Sequence, residues 1–244
     1  DKPDGFNINE GFGATDTAAL RQAVVAENAN LGIALDGDAD RLIMVDHQGN
    51  EVNGDQLILI MALARKAQGS LGGGVVGTVM TNLGMQQALE ANGIEFVRAA
   101  VGDRYVLELL KQKGWQLGGE SSGHIICLDK TTTGDGIIAA LEILRVMLET
   151  GKSLAELASE MQICPQVMIN VDVPRRFDIK ADPSICEAVK KSEQVMGNNG
   201  RIVLRPSGTE PLVRVMIEGT DARQVRSECE ALAVVVREAV ANTG

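Results

Sequence analysis

The chain has 244 residues, a net charge of -10, 45% hydrophobic residues and only 2% aromatics. This is a globular composition, long enough for one or two domains with a substantial core. The acidic balance argues against nonspecific attraction to nucleic acid or anionic membrane, and one Trp and one Tyr leave little for base stacking. No apolar run approaches the ~20 residues of a membrane-spanning helix, and no signal peptide is visible, so a cytoplasmic protein with neither membrane nor nucleic-acid partner is expected. Cys127, Cys164, Cys186 and Cys229 are scattered without a Cys-x-x-Cys pair. That pattern points to buried thiols in a reducing compartment and away from a zinc site.

In chain order, Asp1–Asn9 lacks an initiator Met and reads as a loop entering an existing domain, as in a piece of a longer protein. Thr15 or Thr17 can cap a helix running to about Asn28. The apolar runs Leu31–Leu35 and Leu42–Val45 read as buried strands, and His47–Asn50 as a hairpin turn into Glu51–Val52. His47 is read as a turn residue. A strongly apolar helix is predicted over Asp55–Gln68, a strand over Gly73–Met80, and a helix over Leu83–Asn92 capped by Asn82. Next come a strand over Ile94–Ala100, a helix over Asp103–Lys113 capped by Asp103, and strands starting at Trp115 and at Ile125. Helices over Asp135–Thr150 and Ser153–Met161 complete this stretch. The Gly72–Gly74 cluster lacks dinucleotide-loop spacing and reads as a turn. Alternation of strand and helix predicts a mixed, mostly parallel α/β layer. Past Pro165 the order changes: an exposed strand over Gln166–Val173, a helix over Pro183–Met196, strands over Arg201–Leu204 and Leu212–Ile217, and a long helix over Asp221–Asn242. This reads as a small α+β module.

Three loops carry chemistry. Between the first two strands lies Asp36-Gly-Asp-Ala-Asp-Arg41. Bare carboxylates this close repel one another, and a divalent cation removes that cost. Hard oxygen donors suit Mg²⁺, Mn²⁺ or Ca²⁺. An EF-hand is ruled out, because its sixth-position Gly and twelfth-position Glu are replaced by Arg41 and His47. Arg41 straight after the acids suggests that an anion meets the metal there. The second loop, Gly119-Glu-Ser-Ser-Gly-His124, is flanked by glycines. On an extended loop, Glu120 and Ser122 point the same way and can hold neighbouring sugar hydroxyls; a plain Gly-Ser turn fits the spacing equally well. His124 fits a general acid/base or a hydrogen-bonded core histidine. The third loop, Arg205-Pro-Ser-Gly-Thr-Glu-Pro211, is followed by Arg214. The hydroxyls of Ser207 and Thr209, the Gly208 N–H and two guanidinium groups would make a phosphate cradle.

In this order the three loops resemble the metal, sugar and phosphate loops of the α-D-phosphohexomutase superfamily. Val101-Gly-Asp-Arg-Tyr-Val106, Asp129–Gly136 and the Ser at position 121 are most similar to its bacterial phosphoglucosamine mutase branch. The similarity spans the whole chain. It implies part of domain two with the metal loop over 1–52, domain three with the sugar loop over 53–165, and domain four with the phosphate loop over 166–244. The family's phosphoserine lies in a Ser-His-Asn-Pro-like motif of its first domain, and nothing here matches it. The chain is therefore expected to be an inactive portion whose partner is the missing N-terminal domain, with a homodimer as another way to cover a bare strand edge.

For the intact enzyme the resemblance implies interconversion of glucosamine 6-phosphate and glucosamine 1-phosphate through a phosphoserine and a bisphosphate, on the way to UDP-N-acetylglucosamine. Asp36, Asp38 and Asp40 would hold Mg²⁺. Arg41 and His124 would be catalytic, and Glu120, Ser122, Arg205, Ser207, Gly208, Thr209 and Arg214 would bind the hexosamine phosphate. The alternatives are the phosphomannomutase or phosphoglucomutase branch, or a non-catalytic sugar-phosphate-binding module.

Overall fold

A computed structural model describes residues 2–174, 177–179, 181–207 and 210–241. By contacts the chain divides into two compact units, Asp1–Gln162 and Ile163–Gly244.

In the first unit, a 3₁₀ turn at Gly13–Thr15 leads into α1 (Ala18–Ala26). Thr17 takes the N-cap position, but its hydroxyl donates to Glu51 at 2.6 Å and no side chain caps the helix from there. β1 (Leu31–Leu35), β2 (Leu42–Asp46) and β3 (Glu51–Val52) form an antiparallel sheet in that order. β2 is wholly buried because it is central. β1 is only half buried, contrary to the expectation of two buried strands, since it lies on the sheet edge.

α2 (Gly54–Ala67) begins at a capping box in which Asn53 and Gln56 bond each other's backbone. β4 (Val75–Thr78), α3 (Leu83–Ala91), β5 (Phe96–Ala99), α4 (Asp103–Lys113), β6 (Leu117–Gly119) and β7 (Ile125–Cys127) follow. Their sheet runs β5-β4-β6-β7, parallel except for the last pair. α5 (Gly136–Thr150), capped by Asp135, and α6 (Leu154–Ala158), capped by Ser153, close the unit.

Successive residues of this sheet serve opposite faces, as the two-residue period of a strand requires. Val75, Leu117, Ile125 and Cys127 join the core lined by α2, α3, α5 and α6, whereas Val76 and Ile126 join α4 and Trp115. Leu42, Met44 and Val52 of the small sheet belong to the first of these cores, so residues 31–52 share one interior with the α/β layer. Asp103 does not cap α4 as expected: Gly102, with φ of 127°, takes the N-cap and Asp103 is the first helical residue.

The second unit is an antiparallel sheet ordered β8 (Gln166–Asp172), β10 (Leu212–Gly219), β9 (Gly200–Pro206). α7 (Pro183–Met196) and α8 (Ala222–Ala241) supply its core with Val213, Val215 and Ile217 of the central strand. Buried Glu218 on β10 lies opposite Arg201 on β9, whose Nε donates to it at 2.7 Å.

Candidate active site

The acidic loop is the connection of the β1–β2 hairpin, closed by Leu35 opposite Leu42. Six residues span the turn, and Ala39 takes φ of 58°, a left-handed conformation that a β-branched or bulky side chain would resist. The turn brings one oxygen of each of Asp36, Asp38 and Asp40 within 4.8 Å of the others. That separation is no more than roughly twice a hard cation's metal–oxygen distance. Asp36 Oδ1 accepts the Arg41 backbone N–H at 3.1 Å, and Asp40 Oδ2 lies 2.8 Å from His124 Nδ1. The Arg41 Nε is 3.8 Å from Asp36, too far for a hydrogen bond, and it is buried with no hydrogen-bond partner. An orphaned guanidinium N–H beside three carboxylates is suited to an anion delivered to a metal at this loop.

The 119–124 loop packs directly on this turn. Leu42 N–H donates to the Gly123 carbonyl at 3.0 Å, and Arg41 pairs with His124 across an antiparallel bridge. Glycine is obligatory at position 123: its φ is 95°, and a Cβ would lie 2.2 Å from the Leu42 oxygen. The loop is a tight turn closed by Glu120 N–H to His124 O and Gly123 N–H to Glu120 O, each 3.0 Å. It is not the extended segment expected, so the same-side argument for Glu120 and Ser122 does not carry over. Instead Glu120 is aimed by its Oε1, which accepts the Gly102 N–H at 3.0 Å, and Ser122 is exposed on the turn.

A third segment, 131–136, seals the arrangement. Gly136 N–H donates to the Ala39 carbonyl at 2.8 Å, and Gly134 lies against the His124 ring. Behind it Asp129 pairs with Arg65 at 2.9 Å. Burial alone would push the Asp129 carboxyl up, but Arg65 and Lys130 together outweigh it and hold it below its ordinary value. Gly102, Gly134 and Gly136 were not among the predicted site residues; glycines inside the Val101–Val106 and Asp129–Gly136 stretches were the available signal.

In the second unit Arg205 and Arg214 face each other across the β9–β10 ladder. Like charges opposed on a sheet repel, and the Arg205 Nε is buried without a hydrogen-bond partner. Ser207 closes the connection, its N–H donating to Leu212 O at 2.8 Å and its Oγ accepting from Glu210 N–H at 3.3 Å. Gly208 and Thr209, also predicted for the cradle, lie outside the described residues.

Residues 53–164 match the family described as phosphoglucomutase/phosphomannomutase, alpha/beta/alpha domain III, and residues 168–235 match its C-terminal domain. A curated phosphoglucosamine mutase of Thioalkalivibrio sulfidiphilus is 53% identical over 246 residues, covering 100% of this chain and 54% of the relative. That of Coxiella burnetii is 55% identical over 241 residues, covering 98% and 54%.

The chain belongs to the phosphohexomutase family.

It spans about half the length of the curated phosphohexomutases it matches. Among solved structures, N-acetylphosphoglucosamine mutase of Aspergillus fumigatus, in complex with GlcNAc-6P and magnesium, superposes with a TM-score of 0.77 at 22% identity, over 95% of this chain and 54% of that one. A phosphoglucomutase/phosphomannomutase family protein of Burkholderia thailandensis gives 0.74 at 19% identity, over 93% and 50%. At such identities the likeness establishes the phosphohexomutase fold. Among the described residues, no helix is long and apolar enough to cross a membrane.

Proposed function

We propose that this chain is the C-terminal portion of a phosphoglucosamine mutase, carrying the metal, sugar and phosphate loops for interconversion of glucosamine 6-phosphate and glucosamine 1-phosphate. The observation that carries the reading is the convergence of Asp36, Asp38 and Asp40 beside the orphaned Arg41 Nε. Three hard oxygen donors suit Mg²⁺, which when bound there would neutralise charge on the transferring phosphoryl group. Arg41 holds that group's oxygens. Glu120, fixed by Gly102, accepts from sugar hydroxyls, and Ser122 offers a second polar contact. Arg205, Ser207 and Arg214, together with Gly208 and Thr209, take the phosphate that is not reacting. A bisphosphate intermediate presents similar faces after reorientation, so the sugar loop and the phosphate cradle can each serve both half-reactions. Domain bounds of 1–52, 53–165 and 166–244 belong to the same proposal.

The chain contains no Ser-His-Asn-Pro stretch to supply the phosphoserine. It is therefore expected to bind glucosamine 6-phosphate without turning it over. The test is titration calorimetry with glucosamine, glucose and mannose 6-phosphates, alongside a turnover assay with Mg²⁺ and a bisphosphate primer. Preferred binding of the glucosamine ester and no turnover is the expected result. Turnover by the chain itself, or preference for the glucose or mannose ester, overturns the reading.

A further inference from the structure

We propose that the first turn of α5 clamps the metal loop: the Gly136 N–H holds the Ala39 carbonyl and keeps the residue between two of the aspartates in its left-handed conformation, while Arg65 sets where that N–H stands. The proposal rests on the metal-loop reading above and adds two positioning residues, neither of them a ligand.

Ala39 separates Asp38 from Asp40 and takes φ of 58°. Among the described residues, the other non-glycine positions with positive φ are Asn9 and Asn28, and asparagine enters this region several-fold more readily than most residues. For alanine the left-handed region is unfavourable, because Cβ crowds the following carbonyl oxygen. Two hydrogen bonds hold it there. The Ala39 N–H donates to the Asp36 carbonyl at 3.1 Å, and the Ala39 carbonyl accepts the Gly136 N–H at 2.8 Å. The first bond is local to the turn, whereas the second comes from another element. Asp36 and Asp40 have partners for their side chains in the Arg41 N–H and His124 Nδ1. Asp38 lies exposed at the tip, so the direction of its carboxylate follows the backbone at Ala39.

The donor is available for this task because the first N–H groups of a helix have no partner within it. The Asp135 side chain takes those of Ile137 and Ile138, and the Gly136 N–H goes to Ala39. The approach requires glycine: a Cβ at position 136 would lie 2.8 Å from the Arg41 oxygen, 3.0 Å from the Ala39 oxygen and 2.6 Å from Leu35 Cδ2. Arg65, on α2 and 2% exposed, grips the chain on both sides of Gly136, bonding Asp129 at 2.9 Å before it and Glu142 at 3.4 Å after it. One guanidinium thus fixes the piece of chain that presents the N–H. Ordering the turn before the ion arrives lowers the cost of assembling the ligands, which is the work of partners behind a ligand set.

The test is Mn²⁺ affinity of the whole 244-residue chain, read by electron paramagnetic resonance of the free ion, with Trp115 fluorescence reporting that the unit is folded. Gly136→Ala should weaken Mn²⁺ about 5–30-fold, the factor that corresponds to the cost of a left-handed alanine. Arg65→Gln should weaken it about 2–30-fold, the range for a residue that acts through a packed network. Both variants are repeated in an Ala39→Gly background, where positive φ carries no steric penalty and the clamp has less to hold. There each loss should shrink to less than about half its size on a logarithmic scale, a rescue that general loosening of the fold would not give. If Gly136→Ala does not fold, the Arg65→Gln pair decides. Parent-like affinity in Arg65→Gln or in folded Gly136→Ala, or losses as large in the Ala39→Gly background, overturns the proposal. Asp38→Asn separates the two levels. If it abolishes binding while the clamp variants match the parent, the metal loop stands and the clamp falls. If it leaves Mn²⁺ affinity unchanged, the metal reading fails and the clamp with it.

Discussion

Replacing Gly54 by alanine adds one methyl group where the first turn of α2 meets the sugar loop. That Cβ would lie 2.1 Å from the Glu120 carbonyl oxygen, 2.8 Å from Gly123 N and 3.0 Å from Gly123 Cα. Favourable contact begins at about 3.5 Å, so the turn must retreat by more than about 1 Å. All three atoms are backbone, so no rotamer change relieves the clash. The displacement also lengthens the Gly54 N–H to Ser121 O bond, now 3.0 Å. Overpacking costs about 1–3 kcal/mol, and the lost bond about 0.5–1.5 kcal/mol. Against this, alanine gains at most about 1 kcal/mol in helix propensity, and less at the first helical residue. The net cost is about 1–4 kcal/mol, a drop in Tm of roughly 2–16 °C for a unit of this size. Trp115 is the chain's one tryptophan, is buried, and belongs to the same unit as Gly54, so its fluorescence follows the relevant transition. Affinity for glucosamine 6-phosphate should fall in parallel, because Glu120 moves with the turn. A variant with unchanged Tm and unchanged affinity would refute the proposed close approach.

Three further outcomes are expected. Arg65→Leu removes a guanidinium that is 2% exposed and sits 2.9 Å from Asp129 and 3.4 Å from Glu142, leaving Asp129 with Lys130 and Glu142 with Arg145. Urea unfolding followed by Trp115 should show a loss of about 1–3 kcal/mol, and a loss under about 0.5 kcal/mol would contradict the pairing. Burial pushes the Cys127 thiol from 9.0 up to about 11. A folded state that holds the thiol protonated is fully stabilised below pH 9 and loses that contribution as pH rises toward 11, by at most about 1.4 kcal/mol per pH unit. Stability of Cys127→Ala should decline less over this range; an identical decline would refute the shift. Arg214→Gln removes one of two opposed cations, so stability should stay within about 0.5 kcal/mol of the parent or rise, while inorganic phosphate binding weakens about tenfold. Unchanged phosphate affinity by calorimetry would place the anion elsewhere.

Sequence alone determined the order and kind of the elements, because each rests on a local rule. Two apolar runs around an acidic hairpin became β1 and β2, Asn82 and Asp135 cap α3 and α5 as their side-chain chemistry dictates, and Pro183 opens α7. The acidic loop and the arginine-bearing loop stood out for the same reason, since close carboxylates or clustered arginines need a counterion wherever they fold, whereas the 119–124 loop fitted a plain turn equally well. Long-range contacts were out of reach of such rules. Only the tertiary structure decided that β1 is an edge strand, that Gly102 and not Asp103 caps α4, that Glu120 is aimed by that cap across 18 residues, and that His124 meets Asp40 across 84. Those pairings depend on which backbones can approach closely, and at Gly54, Gly123 and Gly134 the deciding quantity is an absent side chain, whose neighbours exist only once the chain has closed on itself.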